Sequence, residues 1–272
     1  MTERPLPEFG PGLDPGPSFV ELLRRVGPAD NAAGSSASGG QASPIEVTHG
    51  TTVVAMRYAD GVVLAGDRRA TSGTLIASRR IEKVFRADQY SGVAIAGAAG
   101  QGMEMVRLFQ VQLEHYEKIE GETLSLEGKA NQLAQMVRSN FPAALQGLIV
   151  VPLFAGYDER RQIGRVFSFD ATGGKYEEAD FQANGSGGVH ARNWIKAQWR
   201  EGMTADETIE LAIRALFAAA DEDIATGGPD LIRRIFPTVA VVEAAGYRAL
   251  PEEEVGQRAT TLLGGREEGA GQ

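Results

Sequence analysis

Thr48-His49-Gly50-Thr51-Thr52-Val53-Val54-Ala55-Met56-Arg57-Tyr58 separates two kinds of sequence. Up to Gly50, the first fifty residues are unable to build a core alone. After it, a continuous globular pattern begins. The Gly50–Thr51 junction on that frontier is a candidate self-cleavage site, and a cut there would expose Thr51 as a new amino terminus. The reading that follows is a catalytic nucleophile at Thr51, positioned by the downstream chain.

In the leader, residues 1–50, Pro5, Pro7, Pro11, Pro15 and Pro17 prevent regular structure. Ser18 could cap a turn or two of helix carrying Phe19, Val20, Leu22, Leu23 and Val26 on an apolar face. The run Ala32-Ala33-Gly34-Ser35-Ser36-Ala37-Ser38-Gly39-Gly40 has the composition of a flexible linker. Composition alone describes a disordered tail; the junction at Thr51 turns the expectation to a propeptide over 1–50, with the catalytic domain over 51–272.

Composition narrows the function classes. Hydrophobic residues make up 43% and charged residues 23%, enough apolar material for one ordinary core. A net charge of −9 without a compensating basic run argues against a nucleic-acid binder. There is no cysteine, which excludes disulfides, thiolate zinc sites and a cysteine nucleophile. The three histidines, His49, His115 and His190, have no metal-ligand spacing. His115 and His190 fall in helix-like patterns, where surface or packing roles are expected. No apolar run approaches the roughly 20 residues that span a bilayer. No basic segment precedes an apolar core at the start, so a cytoplasmic protein is expected.

Downstream, Thr52–Tyr58 and Val62–Ala65 read as strands joined through Ala59-Asp60-Gly61, a strong hairpin signal. Lys83–Arg86 and Ser91–Gly97 read as a second pair turning at Ala87-Asp88-Gln89. A helix with Met105, Val106, Phe109, Leu113 and Tyr116 on one face follows. The next runs from Ser125 to about Leu145, striped by Leu126, Leu133, Met136, Val137 and Phe141. Strands resume over Leu148–Tyr157 and Arg165–Asp170 around Asp158-Glu159-Arg160-Arg161. After Ala183–Gly188, a third helix carries Val189 and Trp194. Thr204-Ala205-Asp206-Glu207 is a capping box opening a fourth, with Ile209, Leu211, Ala212 and Leu216. Thr238–Val242 is a last strand, and a short helix follows Pro251. Hairpins and paired helices in this order predict antiparallel sheets faced by helix layers, an α+β chain.

A threonine hydroxyl is a weak nucleophile until a base takes its proton. If the Gly50–Thr51 bond is cut, the freed α-amine lies on the same residue and titrates near neutrality, at about 7.7–8.0. The uncut amide has no such basicity. Nearby positive charge would keep the amine neutral, and Lys83, Arg68 and Arg69 are the candidates. A buried lysine needs a carboxylate, and Asp67 ends the second strand. Taken singly, each feature also has a plain reading: a Thr-Thr pair is ordinary strand, and Asp-Arg-Arg an ordinary turn.

Together, Thr51-Thr52-Val53-Val54-Ala55, Gly66-Asp67-Arg68-Arg69-Ala70-Thr71, Lys83 and Ile95-Ala96-Gly97 resemble the proteasome β-subunit in order and spacing. So do Gly185-Ser186-Gly187 and Asp223-Ile224-Ala225-Thr226-Gly227-Gly228, and the resemblance spans residues 51 to about 245. The long Gly/Ser-rich leader and Ile235-Phe236-Pro237-Thr238 look most like the actinobacterial form. The resemblance implies a four-layer αββα sandwich of the N-terminal-nucleophile hydrolase class and a threonine endopeptidase. It implies Thr51 as nucleophile and base, Lys83 lowering the amine's pKa, Asp67 pairing with Lys83, and the Gly97 N–H as oxyanion hole. Ser186, Asp223 and Thr226 would hold the amine and a water, with Thr226 standing where many members have serine. Thr71 would pair with substrate backbone, while Ala70, Ile95, Ala99 and Met103 would line an apolar specificity pocket. Cofactors are not needed on this reading. Implied partners are seven-membered rings of the same chain stacked in two, capping α-subunits, an ATP-dependent unfoldase and unfolded protein substrates. Two alternatives are a non-catalytic ring subunit, which would lack the threonine, lysine or glycine, and the simpler ATPase-paired threonine peptidase, which usually begins near its threonine.

Overall fold

The computed structural model describes residues 50–264. The expected helix at Phe19–Val26 and the linker-like run 32–40 lie outside the described residues. In chain order the elements are β1 (Thr52–Tyr58), β2 (Gly61–Gly66), β3 (Ala70–Ser72), β4 (Leu75–Ser78), β5 (Val84–Asp88) and β6 (Ser91–Gly97). Helices α1 (Ala99–Glu120), α2 (Leu126–Ser139) and α3 (Phe141–Ala144) follow. Next come β7 (Val150–Asp158), β8 (Ile163–Phe169), β9 (Lys175–Glu178) and β10 (Phe181–Gly185). Helices α4 (Gly188–Gln198) and α5 (Ala205–Glu222), strands β11 (Thr238–Glu243) and β12 (Gly246–Ala249), and helix α6 (Glu252–Gly264) complete the described chain.

Two five-stranded antiparallel sheets form, ordered β10-β1-β2-β11-β12 and β5-β6-β7-β8-β9, with β3-β4 a separate hairpin. Strand side chains alternate between faces, and that period sorts the core into three slabs. Val53, Ala55, Val62 and Leu64 meet Ala94, Leu153, Ala155 and Val166 between the sheets. Their neighbours Val54, Met56, Val63 and Ala65 pack outward against Ala191, Ile195, Ile209, Leu216 and Val255. On the far side, Val93, Phe154 and Phe167 pack against Val106, Phe109, Leu133 and Val137. The result is the expected four-layer αββα sandwich. Phe109 and Phe154 meet edge-on at 6.0 Å between centroids, an arrangement that aromatic quadrupoles favour.

The expected helix from Ser125 to Leu145 is interrupted. Ser125 does cap α2, accepting from the Gly128 N–H at 3.1 Å. But α2 ends at Ser139 and the separate turn α3 carries Pro142 in its first turn. Proline has no N–H and its ring collides with the carbonyl four residues back, so the first helix cannot run through it. Strands β3, β4, β9, β10 and β12 had no expectation; they are short or polar, as in Lys175-Tyr176-Glu177-Glu178. Among the described residues, no helix is long and apolar enough to cross a membrane.

Helix α5 starts with a complete capping box, in which Thr204 accepts from the Glu207 N–H and Glu207 accepts from the Thr204 N–H. Its buried face, Ile209, Leu211, Ala212, Ile213 and Leu216, covers the first sheet. Thr204→Ala should therefore lower stability by about 1 kcal/mol, while Thr204→Ser should cost little. Urea unfolding followed by circular dichroism reads the difference.

Candidate active site

Strand register assembles the site. In the β1–β2 ladder Val53 faces Gly66, so the next step sets Asp67 across from Thr52, and the Asp67 N–H donates to the Thr52 carbonyl at 3.1 Å. On the other edge of β1, Thr52 faces Gly185, which carries Ser186 to Thr51. Thr51 thus sits at the open end of the strand between Asp67 and Ser186. It is 4% exposed.

Lys83 comes from the opposite sheet. It stands just before β5, and its carbonyl accepts from the Ile95 N–H at 2.8 Å, which fixes its position beside β6. Its ammonium donates to Asp67 Oδ1 at 2.6 Å, to the Arg69 carbonyl at 2.6 Å and to the Gly50 carbonyl at 3.4 Å. Three donors have three acceptors, the full complement of a charged lysine. Burial pulls the Lys83 pKa below its ordinary value, and Asp67 opposes that pull. Asp67 is fully buried and equally well occupied. Its Oδ1 also accepts from the Thr52 N–H at 2.8 Å, and its Oδ2 from the N–H groups of Arg69 and Gly227, each at 2.9 Å.

A second cluster contains hydroxyls and one carboxylate. The Thr51 N–H donates to Ser186 Oγ at 3.3 Å, and Ser186 donates to Asp223 Oδ2. Thr226 donates to the same Oδ2 at 2.6 Å and shares a 2.6 Å hydrogen bond with Thr52 Oγ1. The Asp223 N–H is tied to the Ala219 carbonyl, so the end of α5 carries the carboxylate to Ser186.

At the junction itself, the Thr51 hydroxyl donates to the Gly50 carbonyl at 2.6 Å. Gly50 is pressed against Ala225: a Cβ there would lie 2.2 Å from the Ala225 Cβ and 2.6 Å from its carbonyl oxygen. At the mouth of the cleft, Gly97 has φ of +107°, and a Cβ would lie 2.1 Å from the Ile149 carbonyl. Only glycine suits that backbone.

A cavity of about 230 Å³ opens beside Thr51. All the pocket residues expected from sequence line it: Ala70, Thr71, Ile95, Ala99 and Met103, with Gly97 and Lys83. Thr71 lies in β3 opposite Ile76 of β4. Ile81, Glu82 and Gly100 also line the cavity, and sequence reading had not singled them out. Glu82 and Ile81 adjoin Lys83, and Gly100 follows Ala99, so neighbourhood was the available signal. Two candidates fall away. The Arg68 guanidinium reaches Glu252 and the Arg80 carbonyl, and that of Arg69 reaches the Ile224 carbonyl. Arg69 serves the site through its backbone alone, because its fork is drawn to the loop after α5. His115 and His190 are exposed on α1 and α4.

The chain as a whole is similar to known proteins. The sequence model of a family described as "Proteasome subunit" matches residues 47–232. A protein called proteasome subunit beta from Acidimicrobium ferrooxidans is 56% identical over 257 residues, 94% of this chain and 93% of that protein. One of the same name from Acidothermus cellulolyticus is 56% identical over 258 residues, 93% of this chain and 87% of that protein. Another from Streptomyces griseus is 52% identical over 252 residues, 92% of this chain and 89% of that protein.

Asp67 and Lys83 are both buried, so removing one partner strands the other. Asp67→Leu should destabilise the chain by about 3–5 kcal/mol, and adding Lys83→Met should recover only the part due to the stranded ammonium, because the N–H groups of Thr52, Arg69 and Gly227 still lack their acceptor. Denaturant unfolding of the single and double variants checks the pair.

Proposed function

The chain belongs to the proteasome subunit family as a β-subunit of its core, and from that premise we propose that it is a threonine endopeptidase made by self-cleavage at Gly50–Thr51. Residues 1–50 are the propeptide and 51–272 the mature catalytic subunit. The supporting observation is the geometry about Gly50. The nucleophilic hydroxyl is already against the carbonyl to be attacked, and the Lys83 ammonium is 3.4 Å from the oxygen that becomes negative.

In self-cleavage, Thr51 Oγ1 gives up its proton and bonds to the Gly50 carbonyl carbon. The carbon–nitrogen bond breaks, the nitrogen takes a proton and becomes the α-amine, and an ester remains. Water hydrolyses the ester, releasing the leader with a Gly50 carboxylate and restoring the Thr51 hydroxyl. The same hydroxyl then attacks substrate carbonyls. The α-amine accepts its proton and returns it to the leaving amine, and the Gly97 N–H holds the oxyanion. Water, held with Ser186, Asp223 and Thr226, releases the acyl group. Lys83 keeps the amine neutral by electrostatic repulsion, and Asp67 holds Lys83.

Substrates are unfolded polypeptides, paired through the backbone of Thr71 as an added strand. Ala70, Ile81, Ile95, Ala99 and Met103 give the cavity apolar walls, which favour cleavage after hydrophobic residues. The subunit assembles with its own copies and with α-subunits. We assign it seven-membered rings, stacked in two, in the cytoplasm, with an ATP-dependent unfoldase supplying substrates through the α-ring.

After co-assembly with α-subunits, the wild-type chain should begin at Thr51 by intact mass and N-terminal sequencing. Thr51→Ala should keep its full length, and Gly50→Ala should be processed at least tenfold more slowly because Ala225 leaves no room for a methyl group. A complete particle whose wild-type subunit kept residues 1–50 would overturn the reading.

A further inference from the structure

Thr52 is fully buried and belongs to neither the nucleophile nor the lysine pair, yet it touches both halves of the site. Its N–H donates to Asp67 Oδ1 at 2.8 Å, on the lysine side. Its hydroxyl lies 2.6 Å from Thr226 Oγ1, on the carboxylate side. Donor counting fixes the direction of that second bond. Thr226 has one hydroxyl proton, and at 2.6 Å it is given to Asp223 Oδ2. Thr226 must therefore accept from Thr52.

A directed chain results. Thr52 donates to Thr226, and Thr226 donates to Asp223. Ser186 donates to the same carboxylate oxygen and accepts from the Thr51 nitrogen. Resting on the reading of that nitrogen as the general base, we propose that Thr52 is a positioning residue whose hydroxyl orients Thr226 and tunes, through Asp223 and Ser186, the proton affinity of the Thr51 amine.

The physical argument is polarisation. A hydroxyl that accepts a hydrogen bond becomes a stronger donor, and buried chains of such bonds reinforce one another. With Thr52 in place, Thr226 neutralises more of the charge on Asp223 Oδ2. Without it, that oxygen is more negative, and the excess is felt through Ser186 at the amine, whose protonated, unreactive form gains. The local packing is shaped to admit the hydroxyl pair. A Cβ on Gly187 would lie 2.4 Å from Thr52 Oγ1 and 2.7 Å from Thr226 Oγ1, so the turn after β10 leaves space that any other residue would fill.

The test compares full-length wild type, Thr52→Val and Thr52→Ser, each co-assembled with α-subunits. Processing is read by intact mass and occupancy by a covalent peptide epoxyketone. Peptide hydrolysis per labelled site is then followed against pH. Thr52→Val has nearly the same shape and lacks the proton. It should lower kcat about three- to tenfold, the range of one net hydrogen bond, with KM unchanged. The acid limb of its profile should move upward by roughly half a unit. Thr52→Ser should restore both. Processing lost in Thr52→Val but kept in Thr52→Ser also supports the role. A processed Thr52→Val with wild-type kcat and profile overturns it, as does failure of both variants to process. So does failure of Thr52→Val to assemble, which would make the hydroxyl a folding element. A wild-type particle that neither labels nor hydrolyses peptide refutes the protease reading itself, so the two failures are distinguishable.

Discussion

The pairing of Lys83 with Asp67 is the constraint on which the site depends. The two residues approach from different sheets: Asp67 follows β2, and Lys83 precedes β5. Burying two charges costs several kcal/mol per ion unless every donor and acceptor is matched. Here all three ammonium donors have acceptors, and each Asp67 oxygen takes two donors. Because those partners include the backbone of Thr52, Arg69 and Gly227, satisfying one carboxylate fixes β1, the turn after β2 and the loop after α5 together. At this end the charge contact joins the two sheets beside the aliphatic slab, which reaches it through Val53 and Val84.

Around that anchor, the functional groups sit on the ends of strands. Thr51, Asp67 and Ser186 each stand one residue beyond the end of β1, β2 and β10, three hydrogen-bonded neighbours, so their separation is a property of the ladder. Only the Asp223–Thr226 segment depends on a loop, and Asp223 Oδ1 takes the Ala225 N–H, which folds that loop on itself. Groups held by regular structure keep their geometry without reorganising during a reaction, the condition under which buried dipoles are most effective.

Much of this was legible in the sequence because Thr52–Tyr58 and Val62–Ala65 are β-rich, nearly continuous apolar runs. Asp-Gly at the turn fixes the hairpin, and the hairpin sets Asp67 beside the strand start. Lys83 is one of three candidate cations on charge alone, whereas the membership of Gly97, Ser186, Asp223 and Thr226 comes from motif resemblance, since sequence separation gives no distance. Thr52 was read as plain strand: its backbone role follows from register, but its hydroxyl contact needs the position of Thr226, 174 residues away. Arg68 and Arg69 were equal candidates beside Asp67, and their side chains turn to acceptors that no local pattern shows. Strand β9 is charged and β10 is short and ends in Asn184-Gly185, so neither has an apolar run to identify it, and their pairing with β8 and β1 holds them. Pro142 was the overlooked stop in a helix otherwise well striped by Leu126, Leu133 and Val137.

Gly50 has a consequence for the sequence upstream. Its space is bounded by the Ala225 side chain and backbone, while its carbonyl is claimed by Thr51 and Lys83. At this position the fit therefore constrains one residue type, glycine. Nothing in that contact asks for a particular side chain earlier in the leader. The first forty-nine residues are rich in proline, glycine and serine, a composition that this contact leaves unconstrained.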